Sequence, residues 1–127
     1  MTELKSKAGE KPAASFLPLT PAVFHILLTL ADGEAHGYAV MQEVARRSGG
    51  AVRLGPGTLY GAISRLLEDG IIVESEERPD PEMDDTRRRY YRLTKLGGRV
   101  LAAETERLAD LVKAARSTKT VRRLRPA

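Results

Sequence analysis

The sequence predicts a mostly helical α+β domain, and three features of its 127 residues carry that prediction. Three stretches before residue 70 repeat apolar residues at helical spacing between recognisable start and stop residues. A β-branched run, Ile71, Ile72 and Val73, is answered after a polar break by a second alternating run that ends at Leu93. Residues 95–116 then hold one apolar stripe over about 33 Å of helix.

Length and composition bound the rest. A chain of this size is one domain, and a small core gains from association. There is no cysteine, hence no disulfide framework and no thiolate metal site, and the two histidines, His25 and His36, are too few for a His-rich centre. No apolar run approaches the roughly 20 residues of a bilayer span. The N-terminus lacks a signal-peptide core, so a cytoplasmic protein is expected. A net charge of +4 permits a nucleic-acid partner without establishing one. Its placement says more. Residues 71–86 carry seven acids and one base, Arg78; residues 87–99 carry six bases and no acid; and Lys119, Arg122, Arg123 and Arg125 follow at the end.

Residues 1–19 are polar and Pro-containing and read as a disordered N-terminal arm. Thr20-Pro21 caps the first helix, which is apolar almost all round (Val23, Phe24, Ile26, Leu27, Leu28, Leu30) and is stopped by Asp32-Gly33. His25 in this run is expected as a core or edge histidine, since no partner stands at ligand spacing. His36-Gly37-Tyr38 opens a second helix over 38–48, closed by Gly49-Gly50, with Val40, Met41, Val44 and Ala45 inward. Arg46 and Arg47 at its end suit the helix dipole as well as they suit phosphate. Residues 51–54 are expected as a stub of strand.

The third helix, 56–69, has both ends marked: Pro56 at the first position, Gly70 where a left-handed residue ends it. Leu59, Ile63, Leu66 and Leu67 form its inner stripe. The opposite face is bare and polar, with Thr58, Tyr60, Gly61 and Ser64, Arg65 beside them, and acid only at Glu68 and Asp69. The strand 71–73, a loop over 79–86 and the returning strand 87–93 make a hairpin. Tyr91 and Leu93 are expected on one face, Arg88, Tyr90 and Arg92 on the other. Arg87, Arg88 and Arg89 either contact DNA or pair across the hairpin with Glu74, Glu76 and Glu77. Thr94 caps the last helix, whose stripe (Leu96, Val100, Leu101, Leu108, Leu111, Val112, Ala115) outruns what a small core can cover. It suits packing on a second copy, with folding back on the first helix as the alternative. Residues 117–127 read as a basic, disordered tail.

This order is that of a winged helix-turn-helix over 20–94 with a C-terminal dimerisation helix over 95–116. In such a fold the second helix of the motif enters the major groove. The expected DNA contacts are Tyr38, Thr58, Tyr60, Gly61, Ser64, Arg65, Arg87, Arg88 and Arg89, and the expected dimer contacts are Leu101, Leu108, Leu111, Val112 and Ala115. An enzyme is not expected, because neither histidine has a nucleophile to activate. The acids Asp80, Glu82, Asp84 and Asp85 lack the ordered calcium-loop pattern. The GPG and GGR runs match no phosphate-cradling or dinucleotide motif, so no metal or cofactor is expected.

Three runs, HGYAV, LGPGTLYGAISRLLEDGII and RRRYYRLTKLGGRVL, resemble the PadR family of transcriptional regulators, and the resemblance covers residues 19–115. It implies a homodimeric winged-helix repressor of the smaller branch, with one C-terminal helix, bound to a palindromic operator. It places Tyr38 at the start of the supporting helix, Thr58 and Tyr60 toward DNA and Tyr91 inside the wing. Some relatives hold flat ligands between the dimer's helices, stacked on a tryptophan. This chain has no Trp, and no aromatic follows Tyr91, so an effector of unidentified chemistry is all the resemblance carries over. The rival reading is a winged-helix protein-interaction module that does not bind DNA, favoured by the acidic loop.

Overall fold

The computed structural model describes residues 11–75 and 89–125. A 3-10 turn, Ala13–Phe16, precedes helix α1 (Pro21–Ala31), a two-residue strand β1 (Ala35–His36) and helices α2 (Gly37–Arg47) and α3 (Pro56–Glu68). Strands β2 (Ile72–Ser75) and β3 (Tyr90–Leu93) follow, then the long α4 (Lys95–Arg116) and a short α5 (Lys119–Leu124). The sheet is antiparallel, in the order β1-β3-β2, with Ile72 opposite Leu93 and Glu74 opposite Tyr91.

The helix starts are local chemistry. Thr20 Oγ1 accepts the Val23 N–H at 3.1 Å, with Pro21 at the first helical position. Thr94 Oγ1 accepts the Gly97 N–H at 3.0 Å and lies 2.6 and 3.0 Å from the Gly70 and Ile71 carbonyls, so one hydroxyl starts α4 and ties it to the end of α3. Gly70, with φ of +76°, ends α3 in the left-handed region that glycine enters without a Cβ clash.

The core gathers Ile26, Leu27 and Leu30 of α1, Val40 and Val44 of α2, Leu59, Ala62, Ile63 and Leu66 of α3, then Ile71, Ile72, Tyr91, Leu96 and Val100. Each large aliphatic chain among them contributes about 1.5–3 kcal/mol by leaving water. Leu67, expected in this stripe, is exposed, and Ala62 takes the inner place. His25 is half-buried at the edge of α1.

Several expectations are corrected. Part of the arm expected over 1–19 is built into the fold: Ala13, Phe16, Leu17 and Leu19 pack against the core, because apolar residues sit among the polar ones; residues 1–10 lie outside the description. The expected disordered tail holds α5, capped by Thr118, whose Oγ1 accepts the Val121 N–H at 3.2 Å. Residues 51–54 form no strand; Val52 and Leu54 pack on the core from a loop. The third strand is instead β1, where His36 pairs with Tyr90. It pairs along the edge of β3 and sets the His36 ring edge to face against Tyr90 at 5.3 Å, and Tyr90, expected to face out, is buried as well as Tyr91.

The first half of α4 belongs to its own chain. Leu96 and Val100 are in the core, and Leu101 packs against it. Beyond them sits Glu104, a carboxylate 1 % exposed. Its Oε2 accepts the Leu19 N–H at 2.9 Å, and the Arg107 guanidinium donates to both oxygens at 2.5 and 2.9 Å. Leu108 is half-buried, whereas Leu111 and Val112 are 54 % and 48 % exposed and Ala115 is exposed.

Candidate nucleic-acid interface

Helix α3 is held by Leu59, Ala62, Ile63 and Leu66, and this fixes what its other face presents. Thr58, Ser64 and Arg65 are exposed, Gly61 lies between them, and Tyr60 stands at one edge, 46 % exposed. The site residues expected on this helix therefore share one surface. Tyr38, the second residue of α2, is 56 % exposed.

The start of α3 adds a feature that pattern reading missed. Its cap is Gly55, which has no side chain to bond the first-turn N–H groups. Those donors and the positive end of the helix dipole are left for an anion, an arrangement suited to phosphate. The clue was in the sequence, a glycine where Thr20 and Thr94 stand before α1 and α4, but only the observed helix boundary gives it meaning.

Charge pairing sorts the cations. Arg46 pairs with Glu43, and Arg47 with Asp32 and Glu43, so the end of α2 is neutralised internally. The Arg46 guanidinium holds the Glu43 carboxyl below its usual range. Arg89 reaches both oxygens of Glu74 at 3.0 and 3.1 Å, the cross-hairpin alternative. Arg87 and Arg88, and the loop acids from Asp80 to Asp85, lie outside the described residues. Arg53, in the loop before α3, and Arg65 make no ion pair among the described residues. Arg53 is a cation that periodicity had no means of singling out.

The wing stands against the same helix. Burial pushes the Tyr91 phenol up from its ordinary value, Glu74 and nearby Tyr60 push it further, and Arg89 opposes them. Among the described residues no three His, Cys, Asp or Glu side chains are grouped to hold a metal ion, and no helix is long and apolar enough to cross a membrane. A cavity of about 340 Å³ lies between α1 and α4, lined by Phe24, His25, Glu104 and Leu108 among others.

The family model described as "Transcriptional regulator PadR-like family" matches residues 26–103. Transcriptional regulator Rv3488 of Mycobacterium tuberculosis is 39 % identical over 89 residues, which are 70 % of this chain and 77 % of that protein. Two solved structures are similar in fold. A PadR family transcription regulator from Clostridium difficile superposes with a TM-score of 0.62 at 23 % identity, over 75 % of this chain and 94 % of that one. Bacillus subtilis PadR, solved in complex with operator DNA, superposes with a TM-score of 0.55 at 22 % identity, over 68 % of this chain and 47 % of that one.

Proposed function

The chain belongs to the PadR-like family of transcriptional regulators, and we propose that it is a homodimeric repressor that reads a palindromic operator through α3. The observation that carries the reading is the exposed face of α3, with no side chain capping its N-terminus and two arginines that make no ion pair among the described residues, Arg53 before it and Arg65 within it. Thr58, Gly61, Ser64 and Arg65 face the groove, with Tyr38 and Tyr60 at its edge. Arg53 and the first-turn N–H groups hold phosphate. Arg87, Arg88 and Arg89 contribute to a flanking contact when not spent on wing acids.

Two readers related by a two-fold axis meet successive major grooves about 34 Å apart. Their spacing is set by packing between the two α4 helices through Leu108, Leu111, Val112 and Ala115, with Leu101 at the inner margin. A small-molecule effector fits the same reading, with the α1–α4 cavity as its place, and a thermal-shift screen of small aromatic acids and amines tests it. The protein-interaction alternative draws on one observation, the neutralisation of Arg89 by Glu74.

Mobility shift with the DNA upstream of the protein's own gene, over a series of salt concentrations, is the direct test. Binding should weaken steeply as salt rises, because phosphate contacts release counterions. Arg65→Ala should bind less well and shallow the salt slope by about one, with its thermal melt unchanged. A monomer in solution that shifts no upstream DNA sinks the proposal, and a large fall in melting temperature for Arg65→Ala makes Arg65 structural.

A further inference from the structure

Residues 36 and 37 stand where wing and reader both meet the supporting helix. His36 pairs in register with Tyr90, its ring packs edge to face on that tyrosine, and its Nδ1 accepts the Ala39 N–H at 3.2 Å to cap α2. The next residue, Gly37, is buried at the start of α2 and covered by Tyr60 of α3. A Cβ at Gly37 would lie 2.2 Å from the Tyr60 hydroxyl oxygen, 2.7 Å from Cζ and 2.9 Å from Cε1. Gly37 is not among the glycines of positive φ, which are Gly33, Gly49, Gly50 and Gly70. The ring, not the backbone conformation, calls for glycine here.

Resting on the DNA-binding reading above, we propose that Tyr60 is a positioning residue. Its hydroxyl end sits on the bare Cα of Gly37 and braces α3, already held by its buried stripe, against α2 and the wing. A phenol ring has only two side-chain torsions and acts as a stiff spacer. Gly37 lets it approach to a distance that any other residue forbids. Because His36 fastens the adjoining peptide to β3, the seat braces the reader against the wing, and these are the two elements that must fit one duplex together. A methyl group at residue 37 drives the ring outward or tilts α3. Either change costs DNA affinity without removing any group that touches DNA.

The test uses full-length wild type, Gly37→Ala, Tyr60→Phe, Tyr60→Ala and the double variant Gly37→Ala/Tyr60→Ala, with an upstream fragment that wild type shifts. Tyr60→Phe keeps the ring on Gly37 and gives up only the hydroxyl, so it should lose clearly less than Tyr60→Ala, whereas Gly37→Ala should lose roughly tenfold. In the Tyr60→Ala background the seat is already empty, so Gly37→Ala should cost less than about twofold there. The salt slope should be the same in all, since no cationic group is removed. Tyr60→Phe losing as much as Tyr60→Ala overturns the proposal, as does an equal cost of Gly37→Ala in both backgrounds. Should Gly37→Ala not fold, the comparison of Tyr60→Phe with Tyr60→Ala decides. A wild type that shifts no fragment overturns the DNA-binding reading instead. Urea denaturation of the same proteins then judges the seat alone: additive effects of the two substitutions overturn it, and non-additive effects support it.

Discussion

Gly97 and Gly98 are neighbours in the first turns of α4, and substituting each by alanine should move stability in opposite directions. In a helix, alanine is favoured over glycine by about 0.5–1 kcal/mol, because less backbone freedom is lost on folding. Gly98 is exposed with nothing within 4 Å of a Cβ, so Gly98→Ala should gain about that amount. At Gly97 the added Cβ would stand 2.1 Å from the Ile71 carbonyl oxygen and 3.2 Å from Leu93 Cδ2. An ordinary carbon–oxygen contact is about 3.3–3.6 Å, so the start of α4 must move by more than an ångström. Overpacking of this kind costs about 1–3 kcal/mol. The same carbonyl accepts the Thr94 N–H at 3.1 Å, a bond worth about 0.5–1.5 kcal/mol that the movement stretches. After the propensity gain, Gly97→Ala should lose about 1–3 kcal/mol, and each kcal/mol lowers the midpoint by roughly 4–8 °C for a domain near 100 residues. Urea and thermal denaturation at one fixed protein concentration measure both variants, the concentration being held because association shifts the midpoint. A Gly97→Ala protein as stable as wild type would refute the packing argument.

The Arg107 guanidinium, with help from the Leu19 N–H, holds the Glu104 carboxyl below its ordinary value of 4.5, against the opposing effect of burial. A carboxyl depressed in the folded state stabilises it above that value and loses the contribution as pH falls through the folded pKa. Glu104→Gln should thus lower the urea midpoint at pH 7, and its gap to wild type should close below pH 4.5; a gap independent of pH contradicts the charge argument. Leu111→Asp places a charge on the exposed half of α4 and should give a monomer by sedimentation with α1–α3 still folded by circular dichroism; an unchanged dimer moves the interface elsewhere. Glu74→Gln frees Arg89 and should tighten DNA binding and steepen its salt dependence by up to about one contact per protomer; no change means the pair is neutral to binding.

What was legible in the sequence was local. Thr20-Pro21, Pro56, Gly70 and Thr94 mark helix ends through groups within four residues, and α1, α3 and α4 lie where those marks put them. The bare face of α3 was legible because its inner stripe was. The rest depends on partners far along the chain. Two residues, Ala35 and His36, are too few to show a period, and they become a strand only because Tyr90 and Tyr91 come alongside. Tyr90, which alternation alone turned outward, is buried. Glu104 reads as one more solvated acid until Leu19 and Arg107 are seen around it. Gly37 and Tyr60 sit on different helices, and neither hints at the other.

The bond from Leu19 to Glu104 spans 85 residues and has a kinetic consequence. It closes a loop around every other element of the described core. Closure entropy grows only slowly with length, by about 0.6 kcal/mol per doubling, but contacts of this separation come late and slow folding. The Leu19 N–H therefore has no carboxylate to meet until α4 has been synthesised beyond Glu104. During synthesis the tie between Leu19 and α4 is therefore made late, after the helices and strands that it encloses.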